Sequence, residues 1–297
     1  MNIRISTASL IGENDDMLWS GALYGLKRLQ EMDHQLFFIP DDLSKQQLAL
    51  LGNEEISASD MDPNAVDLQV ITDNGILKVM DTNGAEIESA KNWIILSTKI
   101  CFPSRKAFLQ RTTSETDIEI ALNLDGTGEN SIDTGLDFYD HMLEQIAKHG
   151  LIDLNISCDG DLNIDEHHTI EDVAICLGQA INQALGDKVG IQRYGFTLPM
   201  DESLAEVAID FSGRPFLKFN GEFQRNMVGD FPTEMTQHFF YSLTMNLKAT
   251  LHISVQGDND HHKIEACFKG LARCLRTAVS RNERIANILP STKDLLE

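Results

Sequence analysis

The sequence predicts an α+β fold, with two pseudo-symmetric repeats of sheet plus helices over residues 105–297, preceded by a small α/β N-terminal domain over residues 1–104. Three observations predict it. After residue 104 the same order of strand, helix, strand and helix signals occurs twice. Both copies carry His-His-x-x-Glu at the same place. Residues 1–104 share neither feature and hold one histidine, His34.

In the first 104 residues, 3–11 read as an apolar strand and 18–29 as a helix, with Leu18, Ala22, Leu23, Leu26 and Leu29 at helical spacing. Residues 36–39 read as a short buried strand ahead of Pro40. Acidic and Asn-rich loops over 52–67 follow. Residues 68–72 and Ile76–Met80 flank Asp73-Asn74-Gly75, a hairpin signal. Residues 101–104 read as a linker, because Pro103 ends regular structure.

The first repeat starts with strand 118–124 and continues with a helical stretch from His141 to His149. A strand over 151–158, Gly160-Asp161, His167-His168-Thr169-Ile170-Glu171 and a long helix follow. The second has strand 205–211, a helical stretch from His238, a strand over 250–255, Gly257-Asp258, His261-His262-Lys263-Ile264-Glu265 and a long helix. Ile170, Val173, Ala174, Leu177, Ile181 and Leu185 form one apolar stripe; Ile264, Phe268, Leu271, Leu275 and Val279 form the other. Each half should be a sheet with helices on one face.

The repeated motif points to metal. Adjacent helical residues lie about 100° apart, so a His-His pair points two ways and suits two ions, one each. His168 and Glu171 are i,i+3; His167 and Glu171 are i,i+4, as are His261 and Glu265. With His141 and His238, each near a helix start, the candidate ligands are His141, His167, His168, Glu171, His238, His261, His262 and Glu265. Nitrogen plus carboxylate suits a first-row divalent cation such as Mn, Fe or Zn. Cys101, Cys158, Cys176, Cys267 and Cys274 lack metal spacing and read as small buried hydrophobes of a reduced, cytoplasmic protein. A net charge of −22 disfavours nucleic acid and membrane surfaces as partners, but permits a local phosphate pocket.

The chain from Arg111 onward resembles imidazoleglycerol-phosphate dehydratase. The likeness rests on Arg111-Thr112-Thr113-Ser114-Glu115-Thr116, Leu124-Asp125-Gly126-Thr127-Gly128 and Phe138-Tyr139-Asp140-His141-Met142-Leu143. It rests also on both His-His-x-x-Glu motifs, Pro199-Met200-Asp201-Glu202-Ser203-Leu204, Ser212-Gly213-Arg214-Pro215 and Pro290-Ser291-Thr292-Lys293. The resemblance implies a ribosomal S5 domain 2-like fold. It implies a carbon–oxygen lyase of histidine biosynthesis, which turns imidazole glycerol phosphate into imidazole acetol phosphate and water with two Mn2+ per active site. One ion would take His141, His168, Glu171 and His261; the other would take His167, His238, His262 and Glu265. The ligands would come from neighbouring subunits of a homo-oligomer, a 24-mer built of trimers. Glu115, Arg193, Arg214, Lys269, Ser291 and Lys293 match substrate-binding positions, most of them at the phosphate. Arg suits phosphate through its fork of N–H groups. Two cations on the ring nitrogens would act as Lewis acids while a hydroxyl leaves, and Glu171, then Glu115, are the candidate proton carriers.

In some bacteria this dehydratase follows a histidinol-phosphate phosphatase of the haloacid dehalogenase type, which residues 22–40 and 92–95 faintly resemble. The chemistry of that phosphatase is missing. The expected first strand ends in Gly12-Glu13-Asn14-Asp15-Asp16 rather than DxDGT, and Asp60-Met61-Asp62 follows polar residues and precedes Pro63. Residues 1–104 therefore read as a degenerate phosphatase-like or accessory domain without activity. The rival readings are a dinuclear metallohydrolase, a bifunctional dehydratase and histidinol phosphatase, and a metal-storage shell.

Overall fold

The computed structural model describes residues 1–11, 17–59, 65–196 and 199–296. They form two compact units, Met1–Pro103 and Ser104–Glu297. The segments 12–16 and 60–63, whose sequences depart from the phosphatase motif, lie outside the described residues.

The first unit holds β1 (Asn2–Ile5), α1 (Thr7–Leu10), α2 (Ala22–Glu31), β2 (Gln35–Phe37), α3 (Lys45–Asn53), β3 (Leu68–Asp73), β4 (Ile76–Met80), β5 (Glu86–Ala90) and α4 (Trp93–Cys101). Its sheet runs β2-β1-β3-β4-β5. β1 is parallel to both neighbours, and β3, β4 and β5 are antiparallel. The expected hairpin is present. Asn74 (φ 50) and Gly75 (φ 75) close it in the left-handed conformation that a two-residue turn requires.

Four expectations for this unit are corrected. The first strand stops at Ile5 rather than residue 11. Ser6 and Ser9 turn the chain there, their hydroxyl oxygens 2.5 Å apart, and Ser9 Oγ donates to the Val70 carbonyl. The helix expected at 18–29 begins at Ala22, since Gly21 has φ 77. Residues 45–53 form a helix that was not expected, opened by a reciprocal cap: Gln47 N–H donates to Ser44 Oγ, and Ser44 N–H to Gln47 Oε1. Residues 92–95 open a further helix that was not expected. Asn92 Oδ1 accepts from Ile95 N–H and starts α4, and Trp93 is fully buried with Nε1 donating to the Ser9 carbonyl.

The second unit begins with β6 (Lys106–Thr112), β7 (Thr116–Asn123), β8 (Asn130–Asp133), α5 (Asp137–Gly150), β9 (Asp153–Gly160) and α6 (His167–Leu185). It continues with β10 (Tyr194–Phe196), β11 (Pro199–Met200), β12 (Ser203–Asp210), β13 (Phe216–Asn220), β14 (Met227–Val228), β15 (Phe231–Pro232), α7 (Met235–Leu247), β16 (Thr250–Gln256) and α8 (Asp260–Val279). The two sheets run β6-β7-β9-β8 and β10-β12-β16-β13. In each, two antiparallel pairings are followed by one parallel pairing, β8 with β9 and β13 with β16. The duplication expected from sequence is thus a duplication of topology. Even the helix-to-strand joints match: Leu151 and Lys248, after α5 and α7, both have φ 53.

Alternate residues of β7 and β12 are buried, so each sheet turns one face inward. The helices fill the space between, and every residue of both predicted stripes is buried. The pairing crosses between repeats: α6 packs on α7, and α5 on α8. One continuous apolar core results. Cys158, Cys176, Cys267 and Cys274 are buried free thiols in it, as expected. Burial pushes the Cys158 thiol up to about 12 and Cys176 to about 11.

Gly178 sets the closest approach of α6 to α7. A Cβ there would lie 2.6 Å from the Leu243 carbonyl oxygen and 3.0 Å from Asn246 Cβ. Gly178→Ala is expected to cost on the order of 1–3 kcal/mol as an overpacked core, read as a lower Tm.

Arg105, 8% exposed, is clamped by Asp125 through Nε and Nη2 and donates to the Val279 carbonyl. Burial raises the Asp125 carboxyl, but these donors outweigh it and hold the net value below the ordinary range. The folded state therefore binds its proton less readily than the unfolded chain. The stabilisation is complete above the ordinary carboxylate range, about pH 4, and is lost as pH falls through the depressed folded value. Asp125→Asn should lose about 3 kcal/mol at pH 7, the low end for breaking a buried pair because Asp125 is partly exposed. Its denaturation midpoint should also vary less between pH 5 and pH 3 than the wild type's.

Candidate metal centre

Among the described residues, two clusters of ligand-type side chains form in the second unit: His141, His261 and Glu265, and His167, Glu171 and His238. Within each, one donor atom per residue lies within 4.8 Å of the others. Both are built alike. A His-His-x-x-Glu helix supplies its first His and its Glu, one turn apart; the facing helix from the other repeat supplies the lone His. Glu171 Oε2 is 3.2 Å from His167 Nε2 and 3.0 Å from His238 Nε2. Glu265 Oε2 is 3.4 Å from His261 Nε2, and its Oε1 is 4.0 Å from His141 Nε2.

Within one chain these residues group differently, on one point, from the ligand sets that the resemblance implies across neighbouring subunits. Those sets paired Glu171 with His141 and His261, and Glu265 with His167 and His238. The chain exchanges the two carboxylates, because the i,i+4 spacing puts each Glu beneath the first His of its own motif, and α6 faces α7 rather than α5. The second histidines point elsewhere. The rings of His167 and His168 are inclined at 79°, those of His261 and His262 at 89°. His168 Nδ1 lies 3.0 Å from Asp161 Oδ2, and His262 Nδ1 lies 2.8 Å from Glu202 Oε2. These bonds raise the pKa of both imidazoles. Chiefly through the His262 bond, Glu202 is lowered to about 2. Each cluster thus holds two His and one Glu from this chain, against the three His and one Glu per ion expected.

The clusters fit a divalent cation. His238 Nε2 is buried and makes no hydrogen bond among the described residues, although Glu171 Oε2 is only 3.0 Å away. The contact is close but not aligned for an N–H to donate. An imidazole lone pair facing a carboxylate is a repulsive arrangement that a cation between them resolves. His141 Nδ1 is 3.3 Å from Gln145 Nε2, which fixes the ring so that Nε2 faces Glu265. The clusters share no residue, so neither carboxylate bridges them as a dinuclear hydrolase would require.

Carboxylates tie two of the helix starts to neighbouring segments. Asp230 accepts from the Asp137 and Phe138 N–H groups at the start of α5. Asp260, 2% exposed, accepts from Gln224 and Arg225 N–H and lies 2.6 Å from Lys263 Nζ, which donates to the Glu222 carbonyl.

The expected substrate residues are spread over four places. Arg193 is held by Asp210 and donates Nη1 to the Pro290 carbonyl, so it meets the tail that carries Ser291 and Lys293. Ser291 Oγ donates to Leu295 and accepts from Lys293 N–H. Lys269 instead lies at the first cluster, its Nζ 2.7 Å from Glu265 Oε1. Glu115 is exposed, with Oε1 3.7 Å from His168 Nε2. Arg214 is exposed on the turn after β12, its N–H donating to Ser212 Oγ. Asp161, Glu202 and Gln145 are site residues to which the sequence assigned no role; Asp161 and Glu202 stood inside quoted motifs without a visible partner.

Fold and clusters together define a duplicated α+β protein with two candidate His/His/Glu metal centres among the described residues. Residues 134–275 match the family model of imidazoleglycerol-phosphate dehydratase. The chain is 38% identical to the imidazoleglycerol-phosphate dehydratase structure from Staphylococcus aureus, covering 60% of this chain and 99% of that one at a TM-score of 0.55. The Pyrococcus furiosus structure gives 34% identity, 63% and 100% coverage and the same TM-score. A histidine biosynthesis bifunctional protein HisB of Spirosoma linguale is 48% identical over 262 residues, 88% of this chain and 68% of that protein. That of Stenotrophomonas maltophilia strain R551-3 is 52% identical over 231 residues, 76% of this chain. The chain covers 64% of that relative's length. The chain belongs to the imidazoleglycerol-phosphate dehydratase family, as the motifs implied. Among the described residues no helix is long and apolar enough to cross a membrane.

Removing the Asp260 carboxylate would leave the Lys263 ammonium buried without its counter-charge. Asp260→Ala should destabilise by about 3–5 kcal/mol, measured by denaturant unfolding.

Proposed function

We propose that the chain catalyses the dehydration of imidazole glycerol phosphate to imidazole acetol phosphate in histidine biosynthesis, with two Mn2+ ions per active site. The observation that carries this reading is the pair of His/His/Glu clusters in a chain of this family. Each cluster offers three donors, and His168 and His262 turn away from both. We assign His168 of a second copy to the His141, His261 and Glu265 cluster, and His262 of a second copy to the His167, Glu171 and His238 cluster. Completion between copies favours a closed homo-oligomer, for which a 24-mer of trimers is the assembly proposed.

Bound cations would act as Lewis acids on the substrate's imidazole ring. The chain's residues handle charge and protons. The C–O bond beside the ring breaks, and the hydroxide takes up a proton to leave as water. The neighbouring carbon gives up its proton, and the resulting enol rearranges to the ketone. Two carboxylates suit the two transfers: Glu115, exposed beside His168, and Glu171, between His167 and His238. Arg193, Ser291 and Lys293 supply phosphate donors at one place, with Arg214 as a further cation. Lys269, on Glu265, is positioned to hold the substrate at the metal end. For residues 1–103 we propose a phosphatase-like remnant without phosphatase activity. The strand β1 is followed by Ser6 and Thr7, where a phosphatase of this kind would need Asp.

The wild type should bind two Mn2+ per chain, and His141→Ala and His238→Ala should each bind one. Chelation should abolish formation of the keto product, and Mn2+ should restore it. Glu171→Gln should lose at least about 100-fold in kcat, and no phosphate should be released from histidinol phosphate. Full turnover by the metal-free protein would refute this reading.

A further inference from the structure

The two outward histidines, His168 and His262, occupy the same place in their repeats but are held by different carboxylates. Asp161 follows β9, and its counterpart after β16 is Asp258. Glu202 precedes β12, and its counterpart before β7 is Glu115. In the first repeat the residue after the strand takes the ring: both oxygens of Asp161 lie within 3.1 Å of His168 Nδ1. In the second the residue before the strand takes it: Glu202 Oε2 is 2.8 Å from His262 Nδ1. The partners have been exchanged between two otherwise matching halves.

We propose that Asp161 and Glu202 are positioning residues, each fixing the tautomer and aim of one histidine that leaves its own chain's cluster to complete a cation site on a second copy. This rests on the function proposed above and adds the device that makes it work. A carboxylate at Nδ1 keeps the proton there and leaves the lone pair on Nε2, the atom that can ligate. A histidine reaching across an interface has no helix neighbour to orient it from the far side, so its own chain must do so. Glu202 is suited to this because it is itself fixed: Oε1 accepts from Asn259 N–H at 3.1 Å and from Ser203 Oγ at 3.2 Å. Asp161 is fixed through its backbone, its N–H donating to the Glu115 carbonyl at 3.0 Å.

The exchange has a chemical consequence. Because Asp161 holds His168, the Glu115 carboxylate is left on the Nε2 side of that ring, at 3.7 Å. It remains available to move a proton, while its counterpart Glu202 is committed to holding a ring. Two repeats with the same ancestry of positions therefore contribute one mobile carboxylate and one fixed one.

The test compares Asp161→Asn, Glu202→Gln and Asp258→Asn in the full chain, titrated with Mn2+ alone by calorimetry, with native mass measured alongside. Asp161→Asn is expected to weaken one class of Mn2+ site by 10–100-fold and leave the other at its wild-type affinity. Glu202→Gln should weaken the other class instead. Asp258→Asn should match the wild type, and Tm should be unchanged in all three without metal. A merely structural role would lower Tm and weaken both classes together, which overturns the proposal. So does wild-type affinity in Asp161→Asn and Glu202→Gln, or a loss in Asp258→Asn equal to that in Glu202→Gln. A wild-type chain that binds no Mn2+ at all would instead sink the functional reading beneath it.

Discussion

Each of two carboxylates, Glu171 and Glu265, faces imidazoles from both repeats, and the rest of the second unit is arranged to keep it there. The carboxylate and one imidazole come from the first turns of one helix, where i,i+4 spacing brings them together. The other imidazole comes from a helix of the opposite repeat. Neither half can build a centre alone, so the duplication is used rather than merely present. Crossed packing of α6 on α7 and α5 on α8 is the geometric form of that requirement. Gly178 lets the first pair approach, and Asp230 and Asp260 fix where two of the helices begin.

Charge is distributed by the same logic. The chain carries a net charge of −22, yet two of its buried cations are matched locally, Arg105 by Asp125 and Lys263 by Asp260. Matching of this kind limits the desolvation cost of burying a charge. At the clusters the balance is left incomplete. Glu171 lies between two imidazoles, and Glu265 has imidazoles and Lys269. An acidic chain that leaves carboxylates facing bare nitrogens is arranged to receive cations. Arg193 is tied to Asp210 and to the tail, so the tail's Ser291 and Lys293 are held beside a rigid guanidinium.

The first unit obeys a different principle. Its parallel β2-β1-β3 core with an antiparallel extension is a small α/β layer around Trp93 and the buried faces of α2 and α4. The residues after β1, where such folds place their chemistry, are hydroxyl side chains bonded to one another and to the sheet. Among the described residues, the Asp42 carboxylate also reaches that strand end, accepting from Thr7 Oγ1.

Sequence alone determined the repeats, the helices with their buried stripes, the hairpin at Asn74-Gly75, and the eight His and Glu residues from which the clusters are drawn. All of these are local or periodic signals, and a period of 2 or 3.6 survives in one dimension. Some local signals were legible but unread, such as Ser44 with Gln47 at the start of α3 and Asn92 at the start of α4. Tertiary structure alone decided which Glu joins which His, that Asp161 and Glu202 rather than equivalent carboxylates hold the outer rings, and that Arg193 meets Pro290. Those pairings join residues as far apart as Arg193 and Pro290, 97 positions, and His141 and Glu265, which are further still. They depend on which helix packs on which, and that is fixed by the closing of a shared core rather than by any neighbouring residue.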